Sequence, residues 1–288
     1  MLSDQLFTSN FTISDTVDSV AKKISSIGES LGIGHGGANF DTRRLAVTVE
    51  YMRQFELTGG FCVEIGSLDY LSAKVVWSYF PNASVKGTQN DLRSEPLRFP
   101  DNSVDNLICL EVIEHISDIS YQQATTLDGL FFFLEEVYRV LRVGGRALIS
   151  TPNANSLWAM QRVLLRKAPL MYDWHFREYT VEELAEIVQH IGFSIVEHQT
   201  EYVWHLWDFS PIINFLQQEG YGLDFRGDDQ FIVIEKRAER VRRPHHLDLP
   251  AHGQRPAKGI LAARIAWLKF LTKIEYRLRD LRKKKLRR

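Results

Sequence analysis

The stretch FCVEIGS (residues 61–67) is a short apolar run that ends in an acid and a glycine. This pattern is typical of a buried parallel strand that enters a tight turn before a helix. A second apolar run lies within FPDNSVDNLICLEVIEH (residues 99–115), where polar side chains follow the strand predicted for residues 104–110. Because ligands in open α/β sheets bind at the carboxyl ends of the strands, we expect the functional site beside these two strand ends.

Strand and helix patterns alternate through the central part of the chain, which predicts an α/β fold with a doubly wound, mostly parallel, Rossmann-like sheet. The first predicted strand begins at residue 61 and ends before the turn at Gly66, and the others cover residues 83–88, 104–110, 147–150, 193–197 and 230–236. The predicted helices cover residues 68–80, 127–141 and 180–192. The sequence VGG (residues 143–145) is expected to end the second of these helices. Thr180 and Glu183 have the spacing of a capping box at the start of the third.

The predicted organisation has four parts. Residues 1–58 form a helical cover, residues 59–237 the α/β domain, residues 238–258 a linker with three prolines, and residues 259–288 a basic amphipathic helical tail. Within the cover, Leu45, Val49, Met52 and Phe55 are apolar at helical spacing.

The charge of the chain is divided unevenly. Residues 258–288 carry twelve Lys and Arg against two acids, a net charge of +10, and the rest of the chain carries −11. Such a helix can lie on an anionic membrane surface, pair with a second copy or hold nucleic acid. Its leucine-rich seam with Trp267 favours the membrane or self-association. Nucleic acid is less favoured, because no aromatic residues are interleaved on a basic face to stack bases.

Neither a secretory signal nor a membrane-spanning helix is predicted. The first ten residues lack a basic and an apolar region, and no apolar run approaches the roughly 18 residues that a bilayer span needs. We therefore expect a cytoplasmic protein, with the tail allowing a peripheral position at a membrane. Cys62 and Cys109 fall within predicted buried strands and are expected to be structural thiols.

Four motifs follow one another in a recognisable order: FCVEIGS, RFPDNSVDNLICLEVIEH, LEEVYRVLRVGGRALISTPN and HFREYTVEELAEIVQHIGF. Over residues 40–236 the chain resembles the class I S-adenosylmethionine-dependent methyltransferases. The resemblance implies S-adenosylmethionine as cofactor, with Glu64, Gly66 and Glu111 among its contacts. A glycine at the turn lets the backbone approach a ligand, and amides at a helix start suit a carboxylate.

The chain departs from the family pattern in two places. Leu68 and Tyr70 stand where the family has glycines, so either the loop takes another path or cofactor binding is weakened. About twenty residues join the helix after the glycine turn to the FPD sequence, too few for the usual strand, helix and strand. The acid that holds the ribose is therefore assigned to Asp91, with Gln89 and Leu92 as further candidate contacts. Asp91 can equally be a surface acid that caps a turn.

Glu111, Glu114 and His115 have i, i+3, i+4 spacing, which places them on one face of a helix. Together with His175, this pattern resembles the metal site of small-RNA 2′-O-methyltransferases and that of quinone-ring O-methyltransferases. The resemblance implies a divalent ion, with Mg²⁺, Mn²⁺, Fe²⁺ and Zn²⁺ all open for mixed oxygen and nitrogen ligands. Without a metal, His115 borders the substrate pocket and His175 acts there as a general base. On either interpretation these two histidines are the candidate catalytic residues.

These inferences predict an S-adenosylmethionine-dependent O-methyltransferase. Its acceptor would be a small molecule or a glycan hydroxyl, on a surface polysaccharide, a lipid-linked glycan or a glycosylated metabolite. Aromatic residues in YVWHLWDF (residues 202–209) either pack in the core or a lid, or form a wall for a sugar ring. Two alternatives stay open: a catalytically inactive scaffold, which the lost glycines suggest, and a nucleic-acid methyltransferase.

Overall fold

A computed structural model of the chain describes residues 14–31, 38–88, 90–118, 127–204 and 208–238. The helices are α1 Ser14–Ser30, α2 Ala38–Gln54, α3 Leu71–Tyr79, α4 Asp128–Val140, α5 Leu157–Leu164, α6 Val181–Ile191 and α7 Ser210–Gln218. The strands are β1 Phe61–Glu64, β2 Ser84–Gly87, β3 Val104–Leu110, β4 Leu141–Pro152, β5 Ser194–Glu201 and β6 Asp229–Glu235. A single 3₁₀ turn, Ile113–His115, follows β3 within these residues.

The strands form one six-stranded sheet in the order β2-β1-β3-β4-β6-β5. The pairs β1–β2, β1–β3 and β3–β4 are parallel, and β6 runs antiparallel to both of its neighbours. The predicted α/β, mostly parallel, doubly wound sheet is confirmed. Since β1, β3 and β4 run in one direction, their carboxyl ends meet at one edge of the sheet.

Helices cover both faces of the sheet. Ile108 and Leu110 of β3 belong to a buried cluster with side chains of α1, α2 and α3. Leu107 and Cys109 alternate with them and therefore point to the opposite face. The buried side chains of α4 and α6 lie outside that cluster, and these two helices contact each other. Burial of the two apolar faces holds the carboxyl edge of the sheet in place.

The helical pattern of the N-terminal part agrees with the structure of α2. Leu45, Val49 and Met52 are buried, and Phe55 packs against the same cluster. Both α1 and α2 contact α3, the helix that follows the first strand. One flank of the strand ends at β1 and β3 is therefore formed by α1 and α2.

Three predicted boundaries were wrong. Helix α3 begins at Leu71 rather than at residue 68, because residues 67–70 form a turn in which Tyr70 donates to the Ser67 carbonyl. Strand β4 begins at Leu141, directly after α4, and runs through Gly144 and Gly145. Those glycines do not separate helix from strand; Gly144 has φ +80° and the pairing of β3 with β4 is irregular there. Strand β5 extends to residue 201 instead of 197.

The start and end signals of α6 act as predicted. The Thr180 hydroxyl accepts a hydrogen bond from the Glu183 amide at 3.1 Å, and Gly192 ends the helix in the left-handed region. The Glu183 carboxylate pairs with Arg177, so the capping box is completed only on the threonine side. The pair of Arg177 and Glu183 therefore links the segment that carries His175 to the first turn of α6.

Cys62 and Cys109 are buried and unoxidised, as predicted. Among the described residues, no helix combines the length and the apolar character that a bilayer span needs. Residue 89, most of the predicted linker and the whole predicted tail lie outside those residues.

Candidate functional site

Two cavities flank the loop that leaves β1. The larger measures about 510 Å³ and lies between the ends of β1 and β3 and helices α1, α2 and α3. The smaller measures about 380 Å³ and is bounded by the end of β2 and by residues 98 and 99. Ser67 lines both cavities. Their volumes fall in the range of small-molecule sites, and they adjoin the edge of the sheet where such sites occur.

The loop after β1 is tied closely to the end of β2. Gly66 has φ +113°, its amide donates to the Thr88 hydroxyl at 2.9 Å, and its carbonyl accepts from the Thr88 amide at 2.8 Å. A Cβ at Gly87 would lie 2.8 Å from the Gly66 carbonyl oxygen, so only glycine fits at that position. Gly66 after β1 and Gly87 at the end of β2 thus allow the backbones of these two strand ends to lie close together.

The two bulky residues of this loop leave the cavities open. Leu68 packs against the core cluster, and Tyr70 lies at the wall of the larger cavity with 68% of its surface exposed. The loop therefore accommodates Leu68 and Tyr70 without filling either cavity. A cavity blocked by Leu68 or Tyr70 would have favoured the inactive scaffold, and the described residues do not show one.

Arg44 of α2 supplies a buried positive charge to the larger cavity. It is 4% exposed, and its Nη2 donates to the Asp41 carboxylate at 3.3 Å. Its Nε and Nη1 have no hydrogen-bond partner among the described residues. Burial lowers the pKa of Arg44, but the nearby acids Glu111, Asp41 and Asp229 outweigh burial and hold it above its ordinary value. A buried guanidinium with unused donors is a site for an anion.

Acidic groups converge on the same point from the strand ends. Glu111 has φ +54°, an unfavourable conformation for this residue, and its carboxylate accepts from the Ser150 hydroxyl at 2.6 Å. The same carboxylate lies 3.9 Å from Nη1 of Arg44. Asp229 is fully buried; burial raises its pKa, and the neighbouring Glu111 raises it further. This backbone conformation directs Glu111 toward Arg44. Strained conformations of this kind cost free energy and are found mainly at functional sites.

Glu64 closes the base of the larger cavity in a form that is largely protonated at neutral pH. It is 4% exposed, and its Oε2 accepts from the Trp77 indole at 2.9 Å. Burial raises its pKa to about 8, although the Trp77 hydrogen bond and the charge of Arg44 act in the opposite direction. The end of β1 therefore presents a neutral acid rather than a further anion beside Arg44, which already faces Asp41 and Glu111.

Replacing Glu64 with glutamine should stabilise the ligand-free protein as the pH rises. The unfolded carboxyl loses its proton near its ordinary pKa, whereas the folded one keeps it to about 8, so stability falls as pH rises between those values. At pH 7 this loss is on the order of 3 kcal/mol, and Glu64→Gln removes it. Thermal melts from pH 5 to pH 8 should show a falling midpoint for the wild type and a flatter one for the variant. If the midpoints of the wild type and the variant change with pH in parallel, the raised pKa of Glu64 is contradicted.

Two histidines meet beside the larger cavity. His115, at the end of the 3₁₀ turn, lines the cavity, and its ring centroid lies 4.8 Å from that of His175. Burial lowers the pKa of His115, and the neighbouring His175 lowers it further. The segment that carries His175 is fastened to the turn, because the Phe176 amide donates to the Glu114 carbonyl at 2.9 Å.

Glu178 orients His175. Its Oε1 lies 2.7 Å from Nδ1 of His175, and the same oxygen accepts from the Met171 amide at 2.5 Å. Both side chains are almost fully buried. A carboxylate at Nδ1 fixes the ring and leaves Nε2 to act as a base or as a metal ligand.

Glu114, His115 and His175 offer one ligand atom each, all within 4.8 Å of one another. Glu114 is fully buried; its Oε2 accepts from the Thr151 hydroxyl at 2.8 Å, and its Oε1 has no hydrogen-bond partner among the described residues. Burial and the neighbouring Glu111 raise the pKa of Glu114 well above its ordinary value. Glu111 itself lies outside the group, so three of the four predicted ligands come together and the fourth faces Arg44 instead.

The residues predicted to hold a ribose have other environments. Asp91 is partly exposed, and its carboxylate accepts from the Arg93 guanidinium at 2.7 and 2.9 Å and from the Arg93 amide at 3.0 Å. Those hydrogen bonds lower its pKa to about 2. This is the geometry of a surface turn, and neither Asp91 nor Leu92 lines the two cavities. Gln89 lies outside the described residues.

The aromatic stretch at residues 202–209 contributes to packing where it is described. Val203 and Trp204 are buried in the core cluster, and the Trp204 indole donates to Asp41 at 3.3 Å. Residues 205–207 lie outside the described part of the chain. Trp204 therefore orients Asp41, which in turn pairs with Arg44.

Sequence reasoning missed four residues of this site. Arg44 and Asp41 lie in the predicted helical cover without an assigned role, and Asp229 directly precedes the strand predicted from residue 230. Only their i, i+3 spacing hinted that Arg44 and Asp41 form a pair. Arg177 and Glu178 have the sequence pattern of an ordinary surface pair, and this interpretation is wrong for Glu178, which is buried with its Oε1 2.7 Å from Nδ1 of His175.

A doubly wound α/β sheet with a charged cleft at its carboxyl edge is an architecture that commonly binds nucleotide-type ligands. Residues 36–198 match the family described as a methyltransferase domain, and the chain belongs to that family. The resemblance to S-adenosylmethionine-dependent methyltransferases is confirmed.

Individual relatives cover less of the chain. It is 35% identical over 130 residues to a probable S-adenosylmethionine-dependent methyltransferase of Mycolicibacterium smegmatis (strain ATCC 700084 / mc(2)155), over 44% of this chain and 42% of that protein. The chain thus spans less than half of that relative.

Among solved structures, it is similar to a methyltransferase from Archaeoglobus fulgidus, with 15% identity, a TM-score of 0.41 and coverage of 67% and 94%. It is also similar to the small RNA methyltransferase HEN1, with 17% identity, a TM-score of 0.40 and coverage of 68% and 26%.

Proposed function

We propose that the chain is an S-adenosylmethionine-dependent O-methyltransferase that acts on a sugar hydroxyl. The observation that carries this proposal is the arrangement of one cavity. The buried Arg44 and its partly exposed partner Asp41 lie in its wall, and His115 lines the same cavity and contacts His175. The first pair suits the amino-acid end of the cofactor, and the second suits a hydroxyl that must lose its proton.

The residues present fit the cofactor. The methionyl end of S-adenosylmethionine is a zwitterion, which needs a cation for its carboxylate and an acid for its ammonium. Arg44, with two unused buried donors among the described residues, would hold the carboxylate, and Asp41 would hold the ammonium. Glu64 and Gly66 line the same cavity. The nucleoside would occupy the smaller cavity across Ser67, where Gly87, Thr88 and Asn90 form the wall.

When bound, the cofactor supplies an electrophilic methyl group on a sulfonium. The work left to the protein is to place a hydroxyl in line with that methyl and to remove its proton. His175 is held by Glu178 at 2.7 Å, so its ring is fixed before the acceptor arrives. Fixed geometry matters here because a general base contributes only when it is within hydrogen-bond reach of the proton.

A divalent metal fits the same cluster. Glu114, His115 and His175 offer a carboxylate oxygen and two imidazole nitrogens. Oε1 of Glu114 is buried and accepts no hydrogen bond among the described residues, and Nε2 of His115 lies 3.9 Å from it. Glu178 supplies the carboxylate that metal-bound histidines commonly have at their other nitrogen. A bound metal would lower the pKa of a coordinated hydroxyl and orient it.

Chelation tests the metal directly. We expect EDTA followed by desalting to abolish methyl transfer, and one of Mn²⁺, Mg²⁺, Fe²⁺ or Zn²⁺ to restore it. Cofactor binding should survive the same treatment, because Arg44 is not one of the three ligands. Full activity after chelation, with no metal found by elemental analysis, would leave His175 as a metal-free base.

The acceptor class can be read from the product. With tritium-labelled cofactor and glycan acceptors, a methyl ether on a sugar hydroxyl survives alkali, whereas a methyl ester on a carboxylate is released. We expect alkali-stable label that vanishes when the acceptor hydroxyls are acetylated. Label that is released by alkali, or that enters RNA in preference to glycans, would contradict the sugar hydroxyl.

A further inference from the structure

An exposed apolar surface lies directly beside the candidate acceptor site. Residues 162–176, here called the docking surface, contain six large apolar side chains that are mostly exposed: Val163, Leu164, Leu165, Tyr172, Trp174 and Phe176. Leu164 is 67% exposed and Trp174 is 74% exposed. Single exposed apolar residues are ordinary, but a group of this size on one segment marks an interaction site.

The docking surface is held in place by its own hydrogen bonds. The Arg162 side chain donates to the Ala168 carbonyl at 2.9 Å, and the Lys167 amide donates to the Arg162 carbonyl at 2.8 Å. The segment then joins the site through Phe176, whose amide bonds to Glu114. Its apolar side chains are therefore exposed by a defined backbone conformation.

We propose that the docking surface binds an anionic lipid bilayer. Exposed aromatic and aliphatic side chains flanked by cations are the composition of interfacial membrane elements, in which rings enter the headgroup region and cations meet lipid phosphates. Arg166 and Lys167 are exposed and stand between the two apolar groups. The segment holds three Lys and Arg against one acid, so its charge complements an anionic surface.

A second copy of the chain is a poorer occupant. An isologous dimer would need acids within the same surface to meet Arg166 and Lys167. The segment offers only Asp173, whose carboxylate already lies 4.0 Å from Arg162. A bilayer supplies the missing negative charge.

The sequence provides a second membrane signal. Residues 258–288 carry a net charge of +10 with leucines at helical spacing. Stable attachment to a bilayer commonly takes two weak signals rather than one. His175 stands between Trp174 and Phe176 in the chain, so the acceptor of the reaction would be presented at the lipid surface. The presentation of the acceptor rests on the proposed function, and it favours a lipid-linked glycan. The binding of the docking surface to a bilayer does not depend on the proposed function.

Vesicle co-sedimentation tests the proposal without cofactor or acceptor. The full-length protein should bind phosphatidylcholine vesicles that contain phosphatidylglycerol and ignore vesicles of phosphatidylcholine alone. The double variant Leu164→Ser, Trp174→Ser should bind roughly tenfold to a hundredfold more weakly, since two apolar side chains no longer enter the interface. Both side chains are exposed, so folding should be preserved, and circular dichroism checks this.

Val143→Ser is the matched control. Val143 is 45% exposed and lies nine residues before the end of β4. That separation is about 30 Å of strand, and the docking surface follows the other end of β4 in the chain. Its variant should bind as the wild type does. The proposal is overturned if the wild type ignores anionic vesicles, or if the double variant binds them as tightly as the wild type. It is also overturned if the double substitution only converts a dimer to a monomer in gel filtration.

Discussion

Arg44→Met should weaken the binding of S-adenosylhomocysteine by about thirtyfold or more. Removing one partner of a buried, hydrogen-bonded charge pair costs roughly 2–5 kcal/mol, and about 1.4 kcal/mol corresponds to a factor of ten. Methionine keeps the length of the stem and removes only the guanidinium. Isothermal titration of the wild type and the variant measures the change.

A second ligand separates a carboxylate contact from a general loss of the cavity. 5′-Methylthioadenosine has the nucleoside and the sulfur but lacks the amino-acid carboxylate. We expect its affinity to be unchanged in Arg44→Met, and a matched Arg43→Met variant to keep both affinities. Arg43 is the neighbouring arginine, and its side chain donates to the Tyr202 carbonyl away from the cavity wall. Equal losses of affinity for the two ligands would show that Arg44 maintains the structure of the cavity and does not bind the carboxylate.

His175→Asn should reduce the rate of methyl transfer by about a hundredfold to ten-thousandfold, the usual contribution of a general base. The asparagine amide can still donate to Glu178 where the histidine Nδ1 did, so the local structure is expected to survive. What the variant loses is Nε2, the atom that would accept the proton or bind the metal. The affinity for S-adenosylhomocysteine should stay as it is, because Arg44 and Asp41 are untouched.

Glu178→Gln tests the residue that positions His175. We expect the rate to fall about tenfold to a hundredfold, which is typical when the carboxylate behind a functional histidine is removed. Glu182→Gln is the control, since Glu182 is an exposed carboxylate four residues further on. A His175→Asn variant with wild-type turnover, or a Glu182→Gln variant as slow as Glu178→Gln, would exclude the assignment.

The sheet was predictable because each strand carried its own signal. The apolar runs at residues 61–63 of β1 and 107–110 of β3 indicate strands buried on both faces, and glycine or proline marks the turns near them. The boundary errors came from places where tertiary contacts decide. Gly144 and Gly145 looked like a break between helix and strand, but they belong to an irregular stretch of β4 paired with β3.

The site was predictable only where its residues follow a strand. Glu111, Glu114 and His115 come directly after β3, so their position at the carboxyl edge followed from the topology. Whether they form one group did not, because Glu111 adopts φ +54° and turns toward Arg44. Arg44 comes from a helix 67 residues earlier, and nothing local to its sequence distinguishes a buried arginine from an exposed one.

Asp91 shows the opposite difficulty. The resemblance required an acid near this position, and the nearest one was chosen. In the structure its hydrogen bonds go to the side chain and amide of Arg93, two residues away. Short-range partners of this kind are invisible in a motif comparison, because they depend on the conformation of the loop.

A crystal structure of the full-length protein with S-adenosylhomocysteine tests the central claim most directly. The account predicts ligand density that passes Ser67, with the carboxylate on Arg44, the ammonium on Asp41 and the nucleoside against Gly87 and Thr88. A crevice that stays empty at saturating ligand, or one filled by Tyr70 and its neighbours, would contradict it.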